Sequence, residues 1–138
     1  MSEYWFVSDL HGKIPRYTKL LSLLKKDPPA ILLMGGDLLP HEMARLPLGV
    51  DDFLKGYLAP ELRSLKAALN QKFPAILLIP GNDDPAREET TFLEMEREGL
   101  IVYLSMRTVE LDGYIFAGYP FVPPTPFLRK DWEKYDVS

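Results

Sequence analysis

Cysteine is absent from the 138-residue chain, which excludes disulfides, thiolate metal ligands and cysteine nucleophiles together and makes the cytoplasm the expected location. Any metal must then sit on carboxylate, amide or imidazole groups. Imidazole is scarce too, since the only histidines are His11 and His41. Long apolar runs are missing: the longest are short blocks such as Ile31–Met34, far from the roughly 20 residues that span a bilayer. The opening stretch from Met1 to Val7 runs straight into polar residues without a basic leader or a long apolar core, so neither a signal peptide nor a membrane partner is expected. No block of Lys or Arg occurs, and 20 acidic residues outnumber 16 basic ones for a net charge of −4. Nucleic acid is therefore not expected as a partner held by charge, only as a substrate. Gly-x-Gly-x-x-Gly, a P-loop and a serine elbow are likewise missing, which excludes dinucleotide binding, P-loop chemistry and triad hydrolysis.

What the chain does contain is alternation. Trp5-Phe6-Val7, Ile31–Met34 and Ile76-Leu77-Leu78-Ile79 are apolar on both faces and bounded by turn formers, the pattern of strands in a covered parallel sheet. Between the first two, Tyr17, Leu20, Leu21, Leu23 and Leu24 form a helical stripe that ends in Lys25 and Lys26 and is stopped by Pro28 and Pro29. Asp51 or Asp52 caps a second helical stretch carrying Phe53 to Leu69, with Pro60 expected to break or restart it. Pro85 is placed for the first turn of a third helix ending at Gly99. Ile101–Leu104 reads as a strand, and Thr108–Leu111 joined through Asp112-Gly113 to Tyr114–Ala117 reads as a hairpin with a type I′ turn. The expected fold is α/β, a single domain over residues 1–138 with a mostly parallel sheet, flanking helices and a following β-hairpin. From Tyr119 the chain turns proline-rich, and two expectations stand for this tail: a solvated terminus, or aromatics packed on the core or a partner.

Polar clusters follow each strand directly: Ser8-Asp9-Leu10-His11-Gly12, then Gly35-Gly36-Asp37-Leu38, then Pro80-Gly81-Asn82-Asp83-Asp84. In a parallel sheet the carboxyl ends converge on one edge, so Asp9, His11, Asp37 and Asn82 are expected in one crevice. They make a ligand set for a hard to borderline divalent metal. Gly12, Gly36 and Gly81 are expected to let the chain turn sharply beside the ligands. His41, in a loop flanked by Pro40, is within reach of the crevice, but a lone loop histidine is expected to be solvated.

The ordered motifs Asp-x-His, Gly-Asp and Gly-Asn-x-Asp resemble those of the calcineurin-like metallophosphoesterase superfamily over nearly the whole chain. The resemblance implies two divalent metal ions: Asp9 and His11 on the first, Asp37 bridging, Asn82 on the second. Manganese is the expected metal, with Fe, Ni, Zn or Mg as alternatives. It also implies hydrolysis of phosphate mono- or diesters by a metal-bridging hydroxide, a phosphatase or phosphodiesterase activity on a phosphate-ester substrate.

Two departures from the family pattern stand out. Asp83 occupies the place of a histidine that contacts the leaving group or scissile phosphate, while Asp84 matches the acidic position that follows; both are carried as catalytic candidates, Asp84 in a supporting role. The family's C-terminal Gly-His and Gly-His-x-His motifs have no counterpart, so the chain is expected to be half of the metallophosphoesterase β-sandwich, truncated at its C-terminus. Its second metal site would be completed by homo-oligomerisation or by the missing C-terminal half. The competing expectation is a truncated or degenerate domain that binds metal or a partner without turnover.

Overall fold

The computed structural model describes residues 2–41 and 52–135. Asp51, one of the two expected helix caps, lies outside them. Four strands, β1 (Tyr4–Val7), β2 (Ile31–Met34), β3 (Ala75–Leu78) and β4 (Val102–Tyr103), pair in parallel in that order. Sequential order with right-handed crossovers puts every crossover helix on the same side of the sheet. Accordingly α1 (Ile14–Lys26), α2 (Ala59–Leu69) and α3 (Glu89–Arg97) share one core with the inward residues Leu32, Met34, Ile76 and Leu78. The opposite face carries Ile31, Leu77 and Leu104, against which Val109, Leu111 and Phe116 pack from the hairpin β5 (Thr108–Leu111) and β6 (Tyr114–Ala117). The strands are thus apolar on both faces because helices cover one and a hairpin part of the other, leaving Phe6 of β1 exposed.

Local chemistry sets the element ends. In α1 the buried residues are Tyr17, Leu20 and Leu24, spaced for one helical face, whereas Leu23 of the expected stripe is exposed. The Asp52 carboxylate accepts from the Lys55 N–H at 3.1 Å, capping the stretch that leads into α2. Pro60 does not break it but stands at a second start. A π-helical turn at Leu54–Leu58 precedes α2, with the Ala59 N–H bonded back to the Leu54 carbonyl, and Pro60 falls in the first turn of α2, where its missing N–H costs little. Pro85 likewise sits ahead of a short 3₁₀ turn, Ala86–Glu88, so α3 starts only at Glu89. The Ile101–Leu104 strand contracts to Val102–Tyr103, and β3 begins one residue earlier than the apolar run indicated. Asp112 and Gly113 both adopt positive φ, 53° and 79°, as a type I′ turn requires.

The tail folds back on itself. Val122 N–H donates to the Trp132 carbonyl and Lys134 N–H to the Val122 carbonyl, the Phe121 and Trp132 rings lie 5.7 Å apart, and Trp132 is buried. Phe127 and Leu128, between these anchors, are exposed. Of the two expectations for the tail, packing on the core holds for Trp132 and solvation for the loop tip.

Candidate metal centre

The β1 and β2 ladder does not stop at the strand ends. Gly35 N–H donates to Val7, Asp9 N–H to Gly36, His11 N–H to Asp37 and Gly12 N–H to Leu38, all at 2.8–3.0 Å. These bonds zip the first two polar loops together and place Asp9, His11 and Asp37 side by side. All three residues are in the left-handed region, with φ of 57°, 49° and 52°, a conformation that costs a non-glycine residue about 1–2 kcal/mol. The strain therefore falls on the candidate ligands themselves, whereas Gly12 and Gly36 hold their positive φ without it. Gly81 has no positive φ and is needed for space instead: a Cβ there would stand 2.2 Å from the Asp37 backbone nitrogen and carboxylate.

The third loop is tied in by Asp37 and Asp84. Asp37 Oδ1 accepts from the Asp83 N–H at 2.9 Å. Asp84 is fully buried, and its carboxylate accepts from the backbone N–H groups of Leu38, Leu39 and Gly81 at 2.9–3.1 Å. Burial pushes the Asp84 carboxyl above the usual carboxylate range while those N–H groups pull it back. With its oxygens turned into the protein, Asp84 holds the second and third loops together. Tyr17 supports the same place from below, its hydroxyl donating to the Leu38 carbonyl at 2.7 Å.

Ligand atoms of Asp9, His11 and Asp37 all lie within 4.8 Å of one another. The Asp9 and Asp37 carboxyls thus face each other at close range, and His11 Nε2 is 3.7 Å from Asp9 Oδ1. The Ser8 hydroxyl, donating at 2.7 Å, lowers the Asp9 carboxyl, whereas burial and then the neighbouring Asp9 raise Asp37. Two carboxyls that close are reconciled by a shared proton or by a cation between them. The donor set, two carboxylates and an imidazole, fits a divalent cation.

Asn82 and Asp83 line a cleft of about 1100 Å³ together with His11, Asp37 and His41. His41 is not detached from it: its side chain is 63% exposed, yet Nδ1 lies 2.8 Å from Asp83 Oδ2, and its ring stacks on His11 with centroids 5.2 Å apart. The proline-flanked position after Asp37 was the sequence signal for this placement. Across the cleft stands the tail, with Phe127, Leu128, Arg129 and Lys130 on the wall, a contribution that nothing in the spacing of the motifs foretold.

The family model for calcineurin-like phosphoesterases matches residues 3–132. No curated protein matches the chain. A solved crystal structure shares the fold at a TM-score of 0.54 and 18% identity, over 94% of this chain and 57% of its own length. The chain thus spans little more than half of that protein.

Proposed function

From a chain that belongs to the calcineurin-like phosphoesterase family, we propose metal-dependent hydrolysis of phosphate mono- or diesters in the cleft bounded by His11, Asp37 and Asn82. The observation that carries this reading is the convergence of Asp9, His11 and Asp37, from two separate strand ends, to within 4.8 Å. Asp9 and His11 would hold a first divalent cation, Asp37 would face both sites, and Asn82 would serve the second. Manganese is the first choice for assay. Such cations acidify water and offset the charge that builds on a phosphate in its transition state.

The remaining work falls to the chain. Asp83 N–H fixes the Asp37 carboxylate, so Asp37 need not reorganise when substrate arrives. Arg129 and Lys130 also line the cleft, paired in the tail with Asp131 at 3.4 Å and Glu133 at 3.0 Å, and could turn from these partners to an anionic substrate. Exposed Phe127 and Leu128 offer an apolar surface to the leaving group. Further ligands for the second site would come from another copy of the chain or from additional polypeptide, and in the cell the substrate would be a soluble phosphate ester. Among the described residues no helix is long and apolar enough to cross a membrane.

A second reading, a domain that binds metal or a partner without turnover, is favoured by one observation. Asp83 places a carboxylate where a phosphate would lie, beside His11 and His41, and like charges repel. Hydrolysis of p-nitrophenyl phosphate and bis-p-nitrophenyl phosphate with manganese separates the two. Turnover abolished by chelator and by Asp37→Asn supports the enzyme; no turnover by folded protein supports the binding domain.

A further inference from the structure

His11 presents its two ring nitrogens to two different places. Nε2 faces Asp9 at 3.7 Å, and Nδ1 faces Asp83 Oδ2 at 3.4 Å. The same Asp83 oxygen is 2.8 Å from His41 Nδ1. Neither contact is aligned as a hydrogen bond, for His11 Nδ1 and Asp83 Oδ2 are both buried without a hydrogen-bond partner. Buried polar atoms of this kind carry a desolvation cost and call for an explanation.

The distances supply one. A cation with bonds of about 2.1 Å keeps neighbouring ligand atoms about 3.0 Å apart in an octahedron and about 3.4 Å apart in a tetrahedron. The two contacts to Asp83 Oδ2, 2.8 and 3.4 Å, are close to those edge lengths. Ligand atoms of His11, His41 and Asp83 also lie together within 4.8 Å of one another. We propose that His11, His41 and Asp83 form a divalent-cation site of their own, distinct from the cluster of Asp9, His11 and Asp37. Two imidazoles and one carboxylate select a borderline ion such as zinc, nickel or cobalt over magnesium.

Sharing His11 gives the two sites a definite relation. A neutral imidazole has one lone pair and one N–H. With a cation on Nδ1, the proton stays on Nε2, on the Asp9 side; with a cation on Nε2, it stays on Nδ1, on the Asp83 side. The sites are therefore alternatives for the single lone pair of the neutral ring. Asp83 then explains itself: at this position the chain has a residue that recruits His41, the only other histidine in the sequence.

This inference goes beyond the phosphoesterase reading and does not require turnover. The test is cobalt(II) titration of untagged full-length chain, followed by visible absorption and by long-range ¹H–¹⁵N spectra of the histidine rings. The background is the Asp9→Asn/Asp37→Asn double variant, which removes the other cluster, with circular dichroism to verify folding. One equivalent of cobalt bound in that background, with ring shifts at Nδ1 of both histidines, is the expected result. Adding His41→Gln or Asp83→Asn should weaken it at least tenfold. No binding in the double variant, or unchanged affinity after His41→Gln, overturns the proposal. The phosphoester assay is run on chains with Asp9 and Asp37 intact, so each idea can fail while the other stands.

Discussion

Trp132 Nε1 donates to the backbone carbonyl of Asp84 at 2.8 Å, so the tail is fastened to the same residue whose carboxylate joins the loops after β2 and β3. Asp131 strengthens the junction, its carboxylate accepting from the Ala86 N–H at 2.9 Å. The wall and the floor of the cleft are thus one hydrogen-bonded unit, and disturbing either should be felt at the other.

Asp84→Ala removes the acceptor for the N–H groups of Leu38, Leu39 and Gly81. Each buried donor left unsatisfied costs about 1–3 kcal/mol. Urea denaturation should show a loss of about 3 kcal/mol or more. A loss below 1 kcal/mol would mean that water readily replaces the carboxylate.

Trp132→Ala should release the tail while leaving the sheet intact. Emptying a buried tryptophan site costs roughly 3–5 kcal/mol, here charged mainly against local closure. Limited proteolysis should begin to cut between Tyr119 and Lys130 while far-ultraviolet circular dichroism stays close to that of the parent. An unchanged digestion pattern would show that Phe121 and the Val122 bridge suffice.

Gly81→Ala drives a methyl group into the Asp37 nitrogen and carboxylate, 2.2 Å away. Asp37 must move, and misplacement of a ligand by about 1 Å costs on the order of 100-fold in rate. Manganese-dependent turnover should fall to that degree while the variant remains folded. Full activity would mean that Asp37 tolerates displacement and is not the shared ligand.

Cation binding to the folded chain alone raises stability by about 2.7 kcal/mol at a free concentration 100 times Kd. Manganese should therefore shift Tm upward by roughly 5–10 °C, reversed by chelator and reduced by Asp37→Asn. Equal shifts in parent and variant would place the ion elsewhere.

Tyr4 in β1 donates its hydroxyl to the Asp112 carboxylate at the tip of the hairpin. That bond is the chief cause that pushes the Tyr4 pKa up to about 12 and holds Asp112 below the usual carboxylate range. The folded state favours the neutral phenol, so the contribution of Tyr4 is complete below pH 10 and is lost as pH rises from 10 to about 12. The contribution of Asp112 is complete above the ordinary carboxylate pKa and is lost as pH falls through its depressed folded value. A ¹³Cζ titration should find Tyr4 near 12 in the parent and closer to 10 in Asp112→Asn. Identical titrations would dissolve the link between sheet and hairpin.

The fold was legible because its signals are local. Apolar blocks, the helical stripe of Tyr17, Leu20 and Leu24, and the Asp112-Gly113 turn each act within a few residues. Where expectation and structure part, the element ends differ: a 3₁₀ turn delays α3, and the fourth strand contracts to two residues. Asp9, His11 and Asp37 could be named as neighbours because parallel strands must end on one edge. For His41 the position after Asp37 signalled only its reach to the crevice; its contact with Asp83, 42 residues further along the chain, was not legible, because a single loop histidine carries no periodicity.

By itself the sequence determined which residue types are available for chemistry and the order in which strands deliver them. It fixed this through side-chain pattern, which depends only on near neighbours. Tertiary structure alone decided that Asp84 faces inward, that His11 lies in two clusters of potential ligands, and that the tail returns to wall the cleft. Those outcomes rest on hydrogen bonds and packing between segments distant in the chain, which become defined only once the sheet has brought its strand ends together.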